Sequence, residues 1–268
     1  MKKLVAGMVA IGLLIGCQKV PLTGRTQFAI IPNSTLLPLS FQNYQGVLDS
    51  SRVVRGGEQA AMVQRVGNRL RQAMESYMNA NGFSNRLAGY QWEFALIESP
   101  QVNAWCMPGG KVAFYTGILP YTQNEAGAAA VMGHEISHAI AEHGRERMSE
   151  GVVANGLLTG GQLVLGALSS PQRQQTNRLL LQAAGVGYQF GRALPHNRKQ
   201  ELEADKLGVI FMAMAGYNPQ EAISFWGRMA KAGGGRKPPE FLSTHPSDQR
   251  RINDLQKLLP EAMKYYKG

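Results

Sequence analysis

The sequence predicts an α+β fold, mainly helical with a small mixed sheet, and three observations carry that prediction. Apolar residues recur at three- and four-residue steps between Gly57 and Ala80. Two short stretches, 90–98 and 111–116, have the composition and alternation of strands. Two further stretches read as helices, 122–148 from an opening capping box and 198–215 from a closing glycine. With 268 residues, 44% of them apolar, the chain can bury one substantial core, so one catalytic-sized domain is expected.

Taken in order, the chain begins Met1-Lys2-Lys3, continues uncharged from Leu4 to Gly16 and reaches Cys17, the layout of a secretory signal. That apolar stretch is too short to span a bilayer. Leu14-Ile15-Gly16-Cys17 resembles the lipobox of bacterial lipoproteins. The resemblance implies a diacylated Cys17 as the mature N-terminus and hence a membrane anchor. Residues 1–17 are then the signal, 18–34 a tether rich in turn residues (Pro21, Gly24, Pro32), and 35–268 the folded domain. In enteric-type lipoproteins an aspartate after the cysteine favours the inner membrane. Gln18 stands there instead, which points to the outer membrane.

Only Cys106 then remains as a thiol, so no intramolecular disulfide is expected even in an oxidising compartment. The net charge of +10 is scattered, with few aromatics among the basic residues. It reads as solubility and proximity to anionic lipid, not as a nucleic-acid surface.

Ala60, Val63, Val66, Leu70, Ala73, Met74 and Tyr77 mark one face of the first long helix, which Asn81 and Gly82 end. Trp92, Phe94 and Leu96 fall on one side of the first strand, and the Gly109-Gly110 turn leads into the second. Thr122 and Glu125 form a capping-box pattern, opening a helix through Ala128, Val131, Met132, Ile136 and Ile140 to about Met148. Residues 151–170 hold no charge but five glycines, which favours a packed or lid-like helical hairpin over a membrane span. A helix over 198–215 closes at Gly216 and Asn218-Pro219, and two or three shorter helices follow.

Residues 134–138 read His-Glu-Ile-Ser-His inside the helix that opens near 122. Residues four apart on a helix lie nearly one above the other, so His134 and His138 can aim two imidazoles at one ion. Glu135 then flanks the metal without ligating it, placed to take a proton from water and return it to a leaving amine. Downstream, Glu201-Leu202-Glu203-Ala204-Asp205 supplies an ExxAD pattern on the next helix. Glu201 is the expected third ligand; Glu203, rotated by about 200°, points elsewhere. Two His and one Glu suit one zinc ion per chain with an open position. Asp205, one turn from Glu201, suits the far N–H of a ligand histidine, His134 in particular. His143 lies off the ligand face and His196 sits in a loop, so both are expected to be structural or exposed.

The paired motifs resemble the zinc metallopeptidases that include the heat-shock protease HtpX, the CAAX prenyl protease and the mitochondrial Oma-type protease, and most of all the Oma-like periplasmic lipoproteins. The resemblance implies a gluzincin with a zincin-like fold, its sheet's edge strand bordering the active-site helix. It also implies hydrolysis of unfolded or misassembled envelope proteins, with a chaperone-like outer-membrane assembly factor of silenced or conditional activity as the alternative. Asn103-Ala104-Trp105-Cys106-Met107-Pro108-Gly109-Gly110 resembles the family's strand-and-turn segment, which makes Asn103, Ala104, Gly109 and Gly110 candidate substrate-binding residues. Either 103–107 or 111–116 can be the strand that pairs with extended substrate. Ser243-Thr244-His245-Pro246 and the following Gln249-Arg250-Arg251 resemble the family's HP segment. His245 is therefore a candidate active-site residue, either stabilising the oxyanion or binding the metal in a resting form.

Overall fold

In the computed structural model, residues 17–158, 198–234, 239–246 and 249–268 are described. The α+β architecture expected from sequence is a four-stranded mixed sheet sandwiched between helices. Its strands are β3 (Val53–Val54), β4 (Glu93–Ile97), β5 (Ala104–Met107) and β6 (Lys111–Tyr115), in the order β3-β4-β6-β5. The central β4–β6 pair is parallel, while β3 and β5 run antiparallel to their neighbours. Strand β5 is thus the outer strand beside the main helices, which answers which of the two candidate segments lies outermost.

The alternation of β4 and β6 serves two different cores. Phe94, Leu96, Val112 and Phe114 enter the main core, with the amphipathic helix α2 (Glu58–Ala80) and the helices described below. Ala95, Ile97, Ala113 and Tyr115 pack on the other face around Tyr44 of α1 (Asn33–Asp49). Strand β6 is therefore buried throughout and β4 from Phe94 onward, as expected where a sheet is covered on both sides. Helix α1 was not expected from sequence. Leu37, Phe41, Tyr44 and Leu48 hold a 4-3-4 spacing that signals it, partly masked by Pro38.

The stretch expected as a tether is docked on the body instead. A hairpin of β1 (Cys17–Lys19) and β2 (Thr26–Phe28) places Val20 in the core with no exposed surface. Turn residues at 21–24 build its loop, so the Pro and Gly read as linker signals are turn signals.

The helix that opens near 122 also differs at both ends. A short turn α3 (Leu119–Thr122) precedes α4 (Glu125–Ile140). Asn124 is the cap, its side chain accepting from Gly127 N at 2.8 Å, whereas Thr122 donates back to Leu119 O. Helix α4 stops at Ala141, and Glu142 adopts φ +54°, so α5 (His143–Leu158) starts in a new direction. The hairpin expected over 151–170 falls mostly outside the described residues.

Helix α6 (Arg198–Met214) matches the expected span, and Gly216 follows it at φ +78°. After it come α7 (Gln220–Gly233), the short α8 (Phe241–Thr244) and α9 (Gln249–Met263). No helix among the described residues is long and apolar enough to cross a membrane.

Candidate active site

Helix α4 is buried from Gly127 to Ile140, so its polar residues must find partners inside the protein. Helix α6 crosses it backbone to backbone. A Cβ added to Gly208 would lie 3.0 Å from His134 N and 3.1 Å from Gly133 C, closer than side chains normally sit. Two glycines at the crossing therefore let α6 approach closely enough for Glu201 to reach the histidines of α4.

Four ligand-type atoms converge there, from His134, His138, Glu201 and His245, all within 4.8 Å of one another. His134 Nε2 is 3.0 Å from His138 Nε2 and 3.2 Å from His245 Nδ1. Glu201 Oε1 is 3.3 Å from His138 Nε2 and 3.1 Å from His245 Nδ1, and Oε2 is 3.6 Å from His134 Nε2. Ligand atoms at zinc-like bond lengths from one tetrahedral ion stand about 3.3 Å apart. The observed spacings bracket that value, so the residues present fit a single metal ion.

Each ring is held from behind. His134 Nδ1 lies 2.9 Å from Asp205 Oδ1, which leaves Nε2 facing the cluster. Arg251 of α9 donates to Glu201 Oε2 at 2.8 Å and to Asp205 Oδ1 at 2.6 Å, while its guanidinium lies 3.4 Å from the Trp226 ring centre. Burial alone would raise the Glu201 carboxyl, but His245 and Arg251 hold it well below the usual carboxylate range. Burial pushes His134 down to about 4, with Arg251 adding to the effect, and it lowers His138 strongly as well. Both rings are thus neutral, the form that ligates.

Glu135 differs from Glu201. Burial pushes its carboxyl up to about 7. Its Oε1 accepts no hydrogen bond from the protein and lies 3.3 Å from His245 Nε2. A carboxylate so placed, beside the cluster but outside it, is suited to proton transfer.

Glu135, His138 and His245 open into a cleft of about 150 Å³ walled by α1, β5 and the start of α5. Asn103 and Ala104 line it. Gly109 and Gly110, also expected at the substrate site, are not among the residues lining this cleft; they form the β5–β6 turn at φ +85° and +84°, which glycine adopts without strain. Their faces are packed against Phe41 and Trp92, leaving no room even for a Cβ.

Three further residues support the site, although the sequence assigned none of them a role there. His143, expected off the ligand face, is fully buried with Nδ1 2.8 Å from His138 Nδ1. Glu203 points away from the cluster, as expected from its rotation, and reaches His143 Nε2 at 2.9 Å. Arg251 falls in the stretch that resembles the family's HP segment, which assigned it no role of its own. His196 lies outside the described residues.

A helix-borne HExxH pair completed by a glutamate on a second helix, beside the outer strand of a small mixed sheet, defines a metallopeptidase of the zincin-like class. The sequence profile of Peptidase family M48 matches residues 64–259, and the chain belongs to that family. It is 31% identical over 256 residues to mitochondrial metalloendopeptidase OMA1 of Saccharomyces cerevisiae, covering 92% of this chain and 70% of the relative. It is 35% identical over 190 residues to mitochondrial metalloendopeptidase OMA1 of Arabidopsis thaliana, covering 70% of this chain and 36% of the relative. The beta-barrel assembly-enhancing protease of Escherichia coli is 31% identical over 168 residues, 62% of this chain and 34% of that protein. The chain therefore spans a third of some of these relatives and little more than two thirds of another.

Proposed function

We propose that the chain is a zinc-dependent endopeptidase that hydrolyses peptide bonds of unfolded or misassembled proteins of the bacterial envelope. The observation that carries this reading is the meeting of His134, His138 and Glu201 from two helices, with Glu135 alongside and a cleft leading to it. Two imidazoles and a carboxylate are ligand types that suit zinc, one ion per chain. When bound, zinc supplies Lewis acidity that polarises a carbonyl and acidifies water.

The protein's own groups do the rest. Glu135 accepts the proton of the attacking water and delivers it to the leaving amine. Asp205 keeps His134 in the tautomer that leaves Nε2 free to ligate. Strand β5 pairs on one side with β6, and among the described residues its other edge pairs with no strand. An extended peptide can add there through backbone hydrogen bonds that tolerate many side chains, with Asn103 and Ala104 at the entrance.

His245 bridges from the cluster, through Nδ1, to Glu135, through Nε2, and so fills the space the attacking water needs. This supports a resting arrangement that opens when the segment around α8 moves aside. The same placement favours a second reading, an assembly factor with conditional proteolysis, and the name of the Escherichia coli relative agrees with an envelope client.

Anchoring through a lipid on Cys17, at the periplasmic face of the outer membrane, follows from the lipobox and from Gln18. The test compares the full chain in detergent with Glu135→Gln at matched zinc content on an unfolded protein substrate. Cleavage should fall by about 100-fold or more. Equal cleavage by both would overturn the mechanism.

A further inference from the structure

We propose that His143 is a positioning residue for the metal ligand His138, and that the N-terminal hairpin clamps it there through Glu203. This rests on the metal-site reading above and adds to it a support that reaches from the first described residues to a ligand ring.

The hydrogen bonds run in one direction. His138 turns Nε2 towards Glu201 and His134, so its proton sits on Nδ1. That N–H donates to His143 Nδ1 at 2.8 Å, which places the proton of His143 on Nε2. His143 Nε2–H then donates to Glu203 Oε2 at 2.9 Å. Each ring then carries one proton and is neutral, and the relay ends on a carboxylate oxygen that also accepts from Arg25. A ligand ring whose far nitrogen is fixed in this way keeps its tautomer and angle, and such partners are worth about 10–100-fold in metal affinity.

Glu203 is itself held by the hairpin. Arg25 Nε donates to Glu203 Oε2 at 2.7 Å, and the Thr23 hydroxyl donates to Oε1. The same guanidinium grips both oxygens of Glu146 on α5, at 2.6 and 2.8 Å. Gln200, next to Glu201, donates to Glu146 as well. From strand β1, Gln18 donates to Glu142 Oε2 at 2.7 Å, fastening the left-handed residue that redirects the chain after α4. That redirection is what brings His143 behind His138. His143, Glu203 and Glu146 are buried while Arg25 is partly exposed, so the inner part of the network is shielded from water. The hairpin thus reaches His138 through three side chains, Arg25, Glu203 and His143.

The test uses the full chain in detergent and measures metal affinity by chelator competition, with the visible spectrum of the Co²⁺-loaded protein as a report on ligand geometry. Wild type should bind one metal per chain. His143→Leu should weaken binding by about 10–100-fold and shift the Co²⁺ bands. His143→Gln, which retains a polar group, should recover part of the loss. Glu203→Gln and Arg25→Met should give smaller shifts in the same direction, and they decide the matter should His143→Leu fold poorly by circular dichroism. Wild-type affinity and an unchanged Co²⁺ spectrum in both His143→Leu and Glu203→Gln, or in Glu203→Gln and Arg25→Met where the leucine variant misfolds, would overturn the proposal while leaving the metal site intact. Failure of the wild type to bind metal would overturn the functional reading beneath it.

Discussion

Replacing Gly208 by alanine tests whether the crossing of α4 and α6 sets the metal site. The new Cβ would stand 3.0 Å from His134 N and 3.1 Å from both Gly133 C and His134 Cα, where ordinary contact begins at 3.4 Å. All three neighbours are backbone, so no side chain can swing away, and α6 must back off by about 0.3–0.4 Å. Metal–ligand distances hold only within about 0.2 Å. The displacement is thus larger than the site tolerates, and it falls directly behind a ligand.

Stability changes less than affinity. Overpacking costs about 1–3 kcal/mol, and alanine's better helix propensity returns about 1 kcal/mol. A net loss of about 0–2 kcal/mol lowers Tm by no more than about 8 °C, whereas metal affinity should fall on the order of tenfold. Gly227→Ala on α7, where an added Cβ meets nothing within 4 Å, is the control and should stabilise by about 0.5–1 kcal/mol. Chelator competition and thermal unfolding of the two variants separate the effects. Wild-type metal affinity in Gly208→Ala would refute the claim that this contact sets the ligand geometry.

Two further outcomes are expected. His245→Ala should raise cleavage of an unfolded protein several-fold at equal zinc content if the ring closes the resting site, measured by steady-state turnover; a lower rate would instead assign it to oxyanion stabilisation. Acid should release the hairpin early. Burial alone would raise Glu146 and Glu203, but Arg25 and Gln200 on the first, and His143, Thr23 and Arg25 on the second, lower both below the ordinary 4.5. A lowered carboxyl stabilises the folded state fully above its ordinary value and loses that contribution as pH falls through the lowered one. Amide protection in residues 17–31 should therefore decay below about pH 4.5, before that of α4; hairpin and α4 losing protection together would contradict this.

The meeting of His134, His138 and Glu201 was legible because each part of it is local. His134 and His138 are one helical turn apart, Glu201 and Asp205 are one turn apart, and the first helix announces itself by its capping box and apolar period, the second by its closing glycine. What sequence could not show was the placing of those turns against neighbours. On a continuous helix His143 stands roughly 140° around from His138. Nothing in the local sequence announced that Glu142 would turn left-handed and swing it back, since that conformation is held by Gln18 and Arg145 from outside the motif. Arg25 was hidden for a related reason. Pro21, Gly24 and Pro32 suit a linker or a hairpin loop equally, and only the buried carboxylates it meets distinguish them.

One turn of α6 addresses both histidines of α4, and it does so from two faces. Glu201 and Asp205 share the face that meets His134 and the cluster, with Arg251 bridging the two carboxylates. Glu203, about 200° around the helix, would be wasted on this site if α4 ran straight. The break after Ala141 instead carries His143 to the far side of His138, where Glu203 can reach it. The direct carboxylate behind His134 and the relayed one behind His138 are therefore two solutions to the same requirement, a fixed imidazole in a dry site. Their difference has a consequence: the first is secured by α9, the second by the hairpin that begins at Cys17, so the two ligand rings answer to opposite ends of the chain.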